Sequence, residues 1–246
     1  MTPARHQRWV VALAALVVVA GTARLGVWQL DRAGQKQALQ QAIRTRGSEP
    51  PLDNAGLALD PTAAAQQHYR PVRLRGLWLA QHTLYLDNRQ MGGRPGFFVL
   101  TPLQLTPGDA VIVQRGWAPR DAQERTRLPS IPTSAEPVEI VGRIAPPPSR
   151  LYEFDAAASG PIRQNLDLAA FARETGLALR PLSVQQLEPA GAAAHDGLLR
   201  DWSLPPVDIA KHHGYAFQWF ALSALVAGLY VWFQLLRPRL GARRAD

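Results

Sequence analysis

Two long apolar runs, one near each end of the chain, enclose a stretch in which apolar and polar residues alternate over short distances. Residues 9–23 are almost wholly apolar, and with 25–30 they make roughly 22 residues, enough to cross a hydrocarbon core of ~30 Å. Residues 215–236 form the second run and carry no charge. Between residues 31 and 46 the texture is polar and rich in Gln, Ala and Arg. This predicts a helix extending outward from the first span and stopping at Gly47, ahead of Pro50-Pro51.

From Tyr69 the period shortens. Val72-Arg73-Leu74-Arg75 alternates and continues through Gly76-Leu77-Trp78-Leu79. Thr83-Leu84-Tyr85-Leu86 ends at Asp87-Asn88, and Phe97-Phe98-Val99-Leu100 is bounded by Gly96 and Pro102. Ala110-Val111-Ile112-Val113-Gln114 is closed by Arg115-Gly116-Trp117, and residues 138–144 alternate again. These read as short strands punctuated by Gly, Pro, Asn and Asp. Residues 166–174 predict one short helix ending at Gly176, and residues 177–187 another strand. Pro146-Pro147-Pro148 reads as a stiff connector and residues 191–195 as a mobile loop. Strands at this spacing fit a small mostly-β domain, with a barrel as one arrangement.

Charge and composition sharpen the picture. The net charge of +8 invites a nucleic-acid reading. However, Arg5, Arg8 and Arg24 stand alone in the first 30 residues, and Arg237, Arg239, Arg243 and Arg244 follow the second run, leaving about +2 for the middle. The excess sits beside the spans, as topology determinants do, and it predicts both tails in the cytoplasm and no nucleic-acid partner. Trp9 and Trp28 mark the interfaces of the first span; Tyr215 and Trp219, with Tyr230 and Trp232, mark those of the second. A cleaved secretory signal is the rival reading of the first run, with small residues at Gly21 and Ala23. Arg24 would snorkel toward the headgroups from near the end of the span. The absence of cysteine excludes disulfides, thiolate metal sites and thiol redox chemistry.

The expected fold class is therefore a membrane hairpin: two transmembrane helices flanking one mostly-β (α+β, barrel-like) extracytoplasmic domain. Residues 1–8 form a cytoplasmic tail, 9–30 the first span and 31–211 the periplasmic domain. Residues 212–236 form the second span with a His/aromatic start, and 237–246 a basic cytoplasmic tail. The predicted location is a bacterial inner membrane.

The chain carries no G-x-S-x-G, H-E-x-x-H, phosphate-binding loop or dinucleotide fingerprint, and its acids are scattered, so no enzymatic role is expected. Residues 91–96, Met-Gly-Gly-Arg-Pro-Gly, read as a hairpin turn. Arg115-Gly116-Trp117 reads either as a bulge or turn with Trp117 in the core, or as a surface site where Arg115 binds a carboxylate. The sharpest candidate is the string from Lys211 to Phe220. On a helix His212, Tyr215, Ala216 and Trp219 share one face, with His213, Phe217 and Phe220 on an adjacent one. The plainer reading is two interfacial histidines bonded to headgroups inside an aromatic belt. The other is an imidazole rimmed by aromatic rings that ligates haem iron.

The chain also resembles a known family from end to end. Gly26-Val27-Trp28-Gln29-Leu30-Asp31-Arg32, with Lys36 following, is similar to G-x-W-Q-x-x-R-x-x-x-K at the first-span exit of the Surfeit locus family of cytochrome c oxidase assembly factors. Further resemblance lies in Tyr69-Arg70-Pro71-Val72, in Asp87-Asn88-Arg89, in Val113-Gln114-Arg115-Gly116-Trp117-Ala118-Pro119, and in His212-x-Gly214-Tyr215-Ala216-x-Gln218-Trp219-Phe220. The resemblance implies a bacterial assembly factor for cytochrome c oxidase that transiently binds haem a and aids its insertion into subunit I. Haem a synthase and membrane lipid are further expected partners. It implies His212 as axial ligand of the haem iron; on the chemistry of the residues themselves, Tyr215 and Trp219 would then be pocket walls and Arg115 a propionate partner. His213 stands where the family has Leu and inherits no role. A haem-independent scaffold that stabilises nascent oxidase subunits remains the alternative.

Overall fold

The computed structural model describes residues 3–121, 123–124, 127–148, 150–151, 160–188, 196–202 and 208–237, so the loop expected at 191–195 lies outside the described residues. The chain divides into two units, residues 1–41 with 205–246, and residues 42–204.

The first unit is a helix pair. Helix α1 (Pro3–Gly47) joins the first apolar run to its polar continuation without a break, as the pattern predicts, and ends at Gly47. The last helix, introduced below as α4, covers the second run. Both are long and apolar enough to cross a membrane, and only 11% and 6% of their apolar windows are buried. A core helix of a soluble domain would be mostly buried, so these two candidate transmembrane helices expose their apolar surface to their surroundings.

The second unit is a mostly-β domain. A short helix α2 (Pro61–Gln66) precedes it; Asp60 accepts from the backbone N–H groups of Thr62 and Ala63, and Pro61 takes the first helical position. The pattern of apolar residues did not predict α2, although Asp60-Pro61 is a start signal. The strands are β1 (Pro71–Trp78), β2 (Leu84–Met91), β3 (Arg94–Thr106), β4 (Asp109–Pro119), β5 (Val138–Ala145), β6 (Ile162–Arg163) and, after helix α3 (Leu168–Thr175), β7 (Leu179–Gln186). Helix α4 (Ile209–Tyr230) follows and widens into a π-helical segment, Val231–Leu236. The sheet order β1-β5-β7-β4-β3 closes through β1–β3 pairing at Leu77–Gln104 and Trp78–Leu103, making a five-stranded barrel. Strands β2 and β6 extend from β3 outside the ring.

Two strands outrun their sequence signals. Strand β3 runs through Pro102, where the sequence predicts an end. The Pro102 carbonyl accepts from Leu79 N on the side where β3 changes partner from β2 to β1, so the missing N–H of Pro102 falls in a gap between neighbours. Strand β2 continues past Asp87-Asn88 because its register shifts between Leu86 and Arg89, with Asn88 left-handed at φ 58.

The barrel interior is filled by Val72, Leu74, Leu103, Val111, Ile140, Ile144 and Val184. Ile112, between Val111 and Val113, points to the opposite face and packs with Leu84, Leu86, Leu100 and Phe171 of α3. Burial on both faces explains why β4 reads as an uninterrupted apolar run. Helix α3 is held by Asp167 at its N-terminus and by Gly176, left-handed at φ 70, at its end.

Candidate functional site

In the helix pair the least exposed positions of α1 recur every three or four residues, through Ala12, Ala15, Val19, Thr22, Gly26 and Gln29. On α4 the matching set is His212, Ala216, Trp219 and Ser223. That spacing is a packing seam, and its small residues let two helices approach. Contacts run in opposite order along the two helices. Ser223 Oγ donates to the Val19 carbonyl at 3.1 Å, the Phe220 ring lies over Gly26, and His212 meets Gln29 at the far end. A Cβ on Gly26 would come within 2.7 Å of the Phe220 ring, so glycine is what this crossing accommodates.

His212 sits in the first turn of α4, whose start is fixed by Asp208 accepting from Lys211 N at 3.2 Å. The imidazole is half-buried, with Nδ1 2.8 Å from Gln29 Oε1. An amide oxygen only accepts, so in this arrangement Nδ1–H donates and Nε2 keeps its lone pair. Among the described residues Nε2 has no hydrogen bond. Trp219 lies two turns along the same face and is half-buried; Tyr215 is 46% exposed and Phe217 74% exposed, beside the seam rather than in it. His213 is exposed.

Arg115 belongs to the barrel unit. It is the extra residue of a bulge in β4: Val99 pairs with Gly116 and Leu100 with Gln114, skipping Arg115. The bulge reading therefore holds, but the strand runs on to Pro119 where the sequence suggested closure. The guanidinium is only 4% exposed. It donates to Thr133 Oγ1 at 2.7 Å and the Pro132 carbonyl at 2.9 Å, faces Asp196 at 3.4 Å, and lies 4.9 Å from the Trp78 ring centre. Burial lowers its pKa, and Asp196 opposes that shift. These partners are all the protein's own.

The neighbouring motif residues complete a clasp on residues 196–202, the segment that precedes α4 in sequence. Gly116 leaves no room for a side chain against Leu198 and the Leu199 carbonyl. Trp117 exchanges backbone hydrogen bonds with Leu199 at 2.7 and 2.9 Å. Its indole, fully buried, donates to the Arg89 carbonyl at 2.9 Å. Arg200 pairs with Asp196 at 2.5 Å and with Glu188. Tyr69-Arg70-Pro71 makes a similar clasp on the segment after α1: Arg70 meets Glu49 at 2.7 Å, and Leu52 N donates to the Pro71 carbonyl at 3.0 Å. In Asp87-Asn88-Arg89, Asp87 pairs with Arg120, and Arg89 donates to the Gln164 carbonyl at 2.6 Å.

His68 and His82 are drawn to different partners. His68 lies edge-on to Tyr69, and burial, then the charge of Arg46, lowers its pKa. Glu174 accepts from Arg163 at 2.5 Å, and that bond, with a smaller influence from His82, lowers its pKa. Among the described residues no cluster of three or more His, Asp or Glu side chains is placed to hold a metal ion. Gln29 is the site residue whose role the sequence leaves blank; its signal was the Trp28-Gln29 pair in the resemblance, with nothing to say what it touches.

A family model described as SURF1 family matches residues 16–224. A SURF1-like protein of Drosophila melanogaster is 28% identical over 92% of this chain and 77% of its own length. A SURF1-like protein of Rickettsia bellii is 23% identical over 84% of this chain and 83% of its own. The cytochrome oxidase assembly protein SHY1 of Saccharomyces cerevisiae is 29% identical over 51% of this chain and 33% of its own.

Proposed function

The chain belongs to the SURF1 family, and from that premise we propose that it is a factor in cytochrome oxidase assembly, anchored in a bacterial inner membrane, that holds haem a transiently through His212 and presents it to oxidase subunit I. The name of the yeast relative supports the assembly role, and the Rickettsia relatives support a bacterial setting. In this reading both tails face the cytoplasm, the barrel faces the periplasm and haem a synthase supplies the haem. The protein acts as a carrier and not as a catalyst.

One observation carries the haem assignment. The His212 ring is anchored at Nδ1 by Gln29 and bare at Nε2. The donor set fits the group: a neutral imidazole nitrogen ligates haem iron, and the apolar surface of the outer α4 residues suits a largely hydrophobic macrocycle. Bound haem a is the cargo, and its chemistry is exercised in the oxidase. Through His212 this chain would supply a single imidazole ligand, which suits exchangeable binding. Phe217 and Tyr215, exposed beside His212, offer ring surface for the macrocycle or for a neighbouring transmembrane helix. Arg115 is left out of this reading, because its side chain is buried and its terminal nitrogens already meet Thr133, the Pro132 carbonyl and Asp196.

The test is the absorbance spectrum of the full chain purified in detergent from cells making haem a. Wild type should carry sub-stoichiometric haem a and His212→Ala essentially none. Equal occupancy in both proteins would remove His212 from the mechanism. The scaffold alternative draws on the same bond, since His212–Gln29 also ties the two helices together. It predicts undiminished copurification with subunit I from a strain unable to make haem a.

A further inference from the structure

We infer that Gln29 on α1 is a positioning residue for His212 on α4: by accepting from Nδ1–H it selects the ring tautomer that leaves Nε2 free as a ligand. This rests on the haem reading above and adds to it a residue on the other helix that decides whether the ligand is ready.

A free neutral imidazole side chain in water favours the proton on Nε2, which would leave Nδ1, crowded by its own backbone, as the lone-pair nitrogen. Which nitrogen carries the proton is set by the hydrogen bond the other one makes. Here Nδ1 is 2.8 Å from an amide oxygen, so the protein reverses the solution preference. The bond depends on the helix pair. The hydroxyl of Ser223 on the Val19 carbonyl and the Phe220 ring over Gly26 fix the register that brings residues 29 and 212 together, from positions remote from the imidazole.

The choice of an amide also has a physical consequence. A carboxylate at this place would raise the basicity of the imidazole more strongly and hold iron more tightly, and it would be costly at the membrane. A neutral acceptor orients the ring while leaving the ligand weak enough to exchange. Gln29 therefore governs both the readiness and the release of the site.

The experiment uses the full chain in detergent micelles, and its first readout needs no haem. Histidine ¹⁵N NMR of the apoprotein, at alkaline pH where the ring is neutral, reports the tautomer of His212, assigned by its loss in His212→Ala. Wild type should show Nδ1–H, Gln29→Leu should revert to Nε2–H, and Gln29→Glu should restore Nδ1–H. Hemin titration then gives affinity. Gln29→Leu should weaken binding by about tenfold or more, while Gln29→Glu should bind more tightly than wild type and raise the iron–histidine stretching frequency of the ferrous form. An Nε2–H ring in the wild-type protein, or a Gln29→Leu variant with unchanged tautomer and unchanged hemin affinity, would overturn the inference. If the tautomer follows residue 29 but hemin binds wild type and His212→Ala alike, the positioning role stands and the haem reading falls. The glutamate variant, isosteric with glutamine, separates either result from a general failure of the helices to pair.

Discussion

The barrel and the helix pair treat their buried polar groups in opposite ways. In the barrel, Arg115 is wrapped by a hydroxyl, a carbonyl, a carboxylate and an aromatic ring, and Arg163 spends its donors on the Gly160 carbonyl and Glu174. In the helix pair, His212 has one side-chain partner among the described residues, at Nδ1. Burying a charge is costly unless it is fully paired, so the barrel's arginines are committed to holding segments together. A half-buried imidazole carries less of that obligation than a buried guanidinium. Both residues lie in motifs of the resemblance, but Arg115 is buried and tied to neighbouring segments whereas His212 is half-buried with a single partner among the described residues.

That contrast can be broken at either side. The largest effect is expected from Trp117→Ala, which empties a fully buried indole and orphans the Arg89 carbonyl. It should cost about 3–5 kcal/mol of barrel stability. Thermal unfolding followed by circular dichroism should detect the loss, while the His212 NMR signal of the folded protein stays put; a coupled change in both would mean that the clasp and the site are one system. Next is Gly26→Leu, which drives a side chain into the Phe220 ring. It should shift the helices, break the Gln29 bond and weaken hemin binding by about tenfold, with barrel melting unchanged. Hemin affinity equal to wild type would show that the seam does not position the ligand.

The smallest effect concerns pH. Burial keeps the folded-state pKa of His68 below the ordinary 6.5. Between those two values the unfolded chain binds the extra proton, so this contribution to stability is complete above about pH 6.5 and is lost as pH falls through the folded-state value. Barrel melting should therefore soften on mild acidification, and His68→Gln should flatten that part of the profile. An unchanged profile would place the acid sensitivity elsewhere.

Much of the architecture was legible from local signals. The two apolar runs, Gly47 as a stop, residues 138–144 as a strand and Asp167 to Gly176 around a helix all depend on spacing and on residues within a turn of one another. The misread strand ends share another cause. Pro102 and Asn88 are breakers by local rule, yet each sits where the sheet changes partner or register, so the rule's penalty is not incurred. Strand β6, two residues long, has too little pattern to read.

The site was legible only in part. His212 stood out because a histidine at the head of an apolar helix is chemically conspicuous. Its partner did not, because Gln29 lies 183 positions away and a neutral amide near a span end has many uses.

By itself, then, the sequence determined the helices that can enter lipid, the β character of the middle and the presence of a histidine at the head of the second helix, since each follows from the periodicity or chemistry of neighbouring residues. Closure of five strands into a barrel, the commitment of Arg115 to a clasp and the meeting of His212 with Gln29 were decided by the tertiary structure. Each depends on groups far apart in the chain that meet only when two helices pack or a sheet curls onto itself.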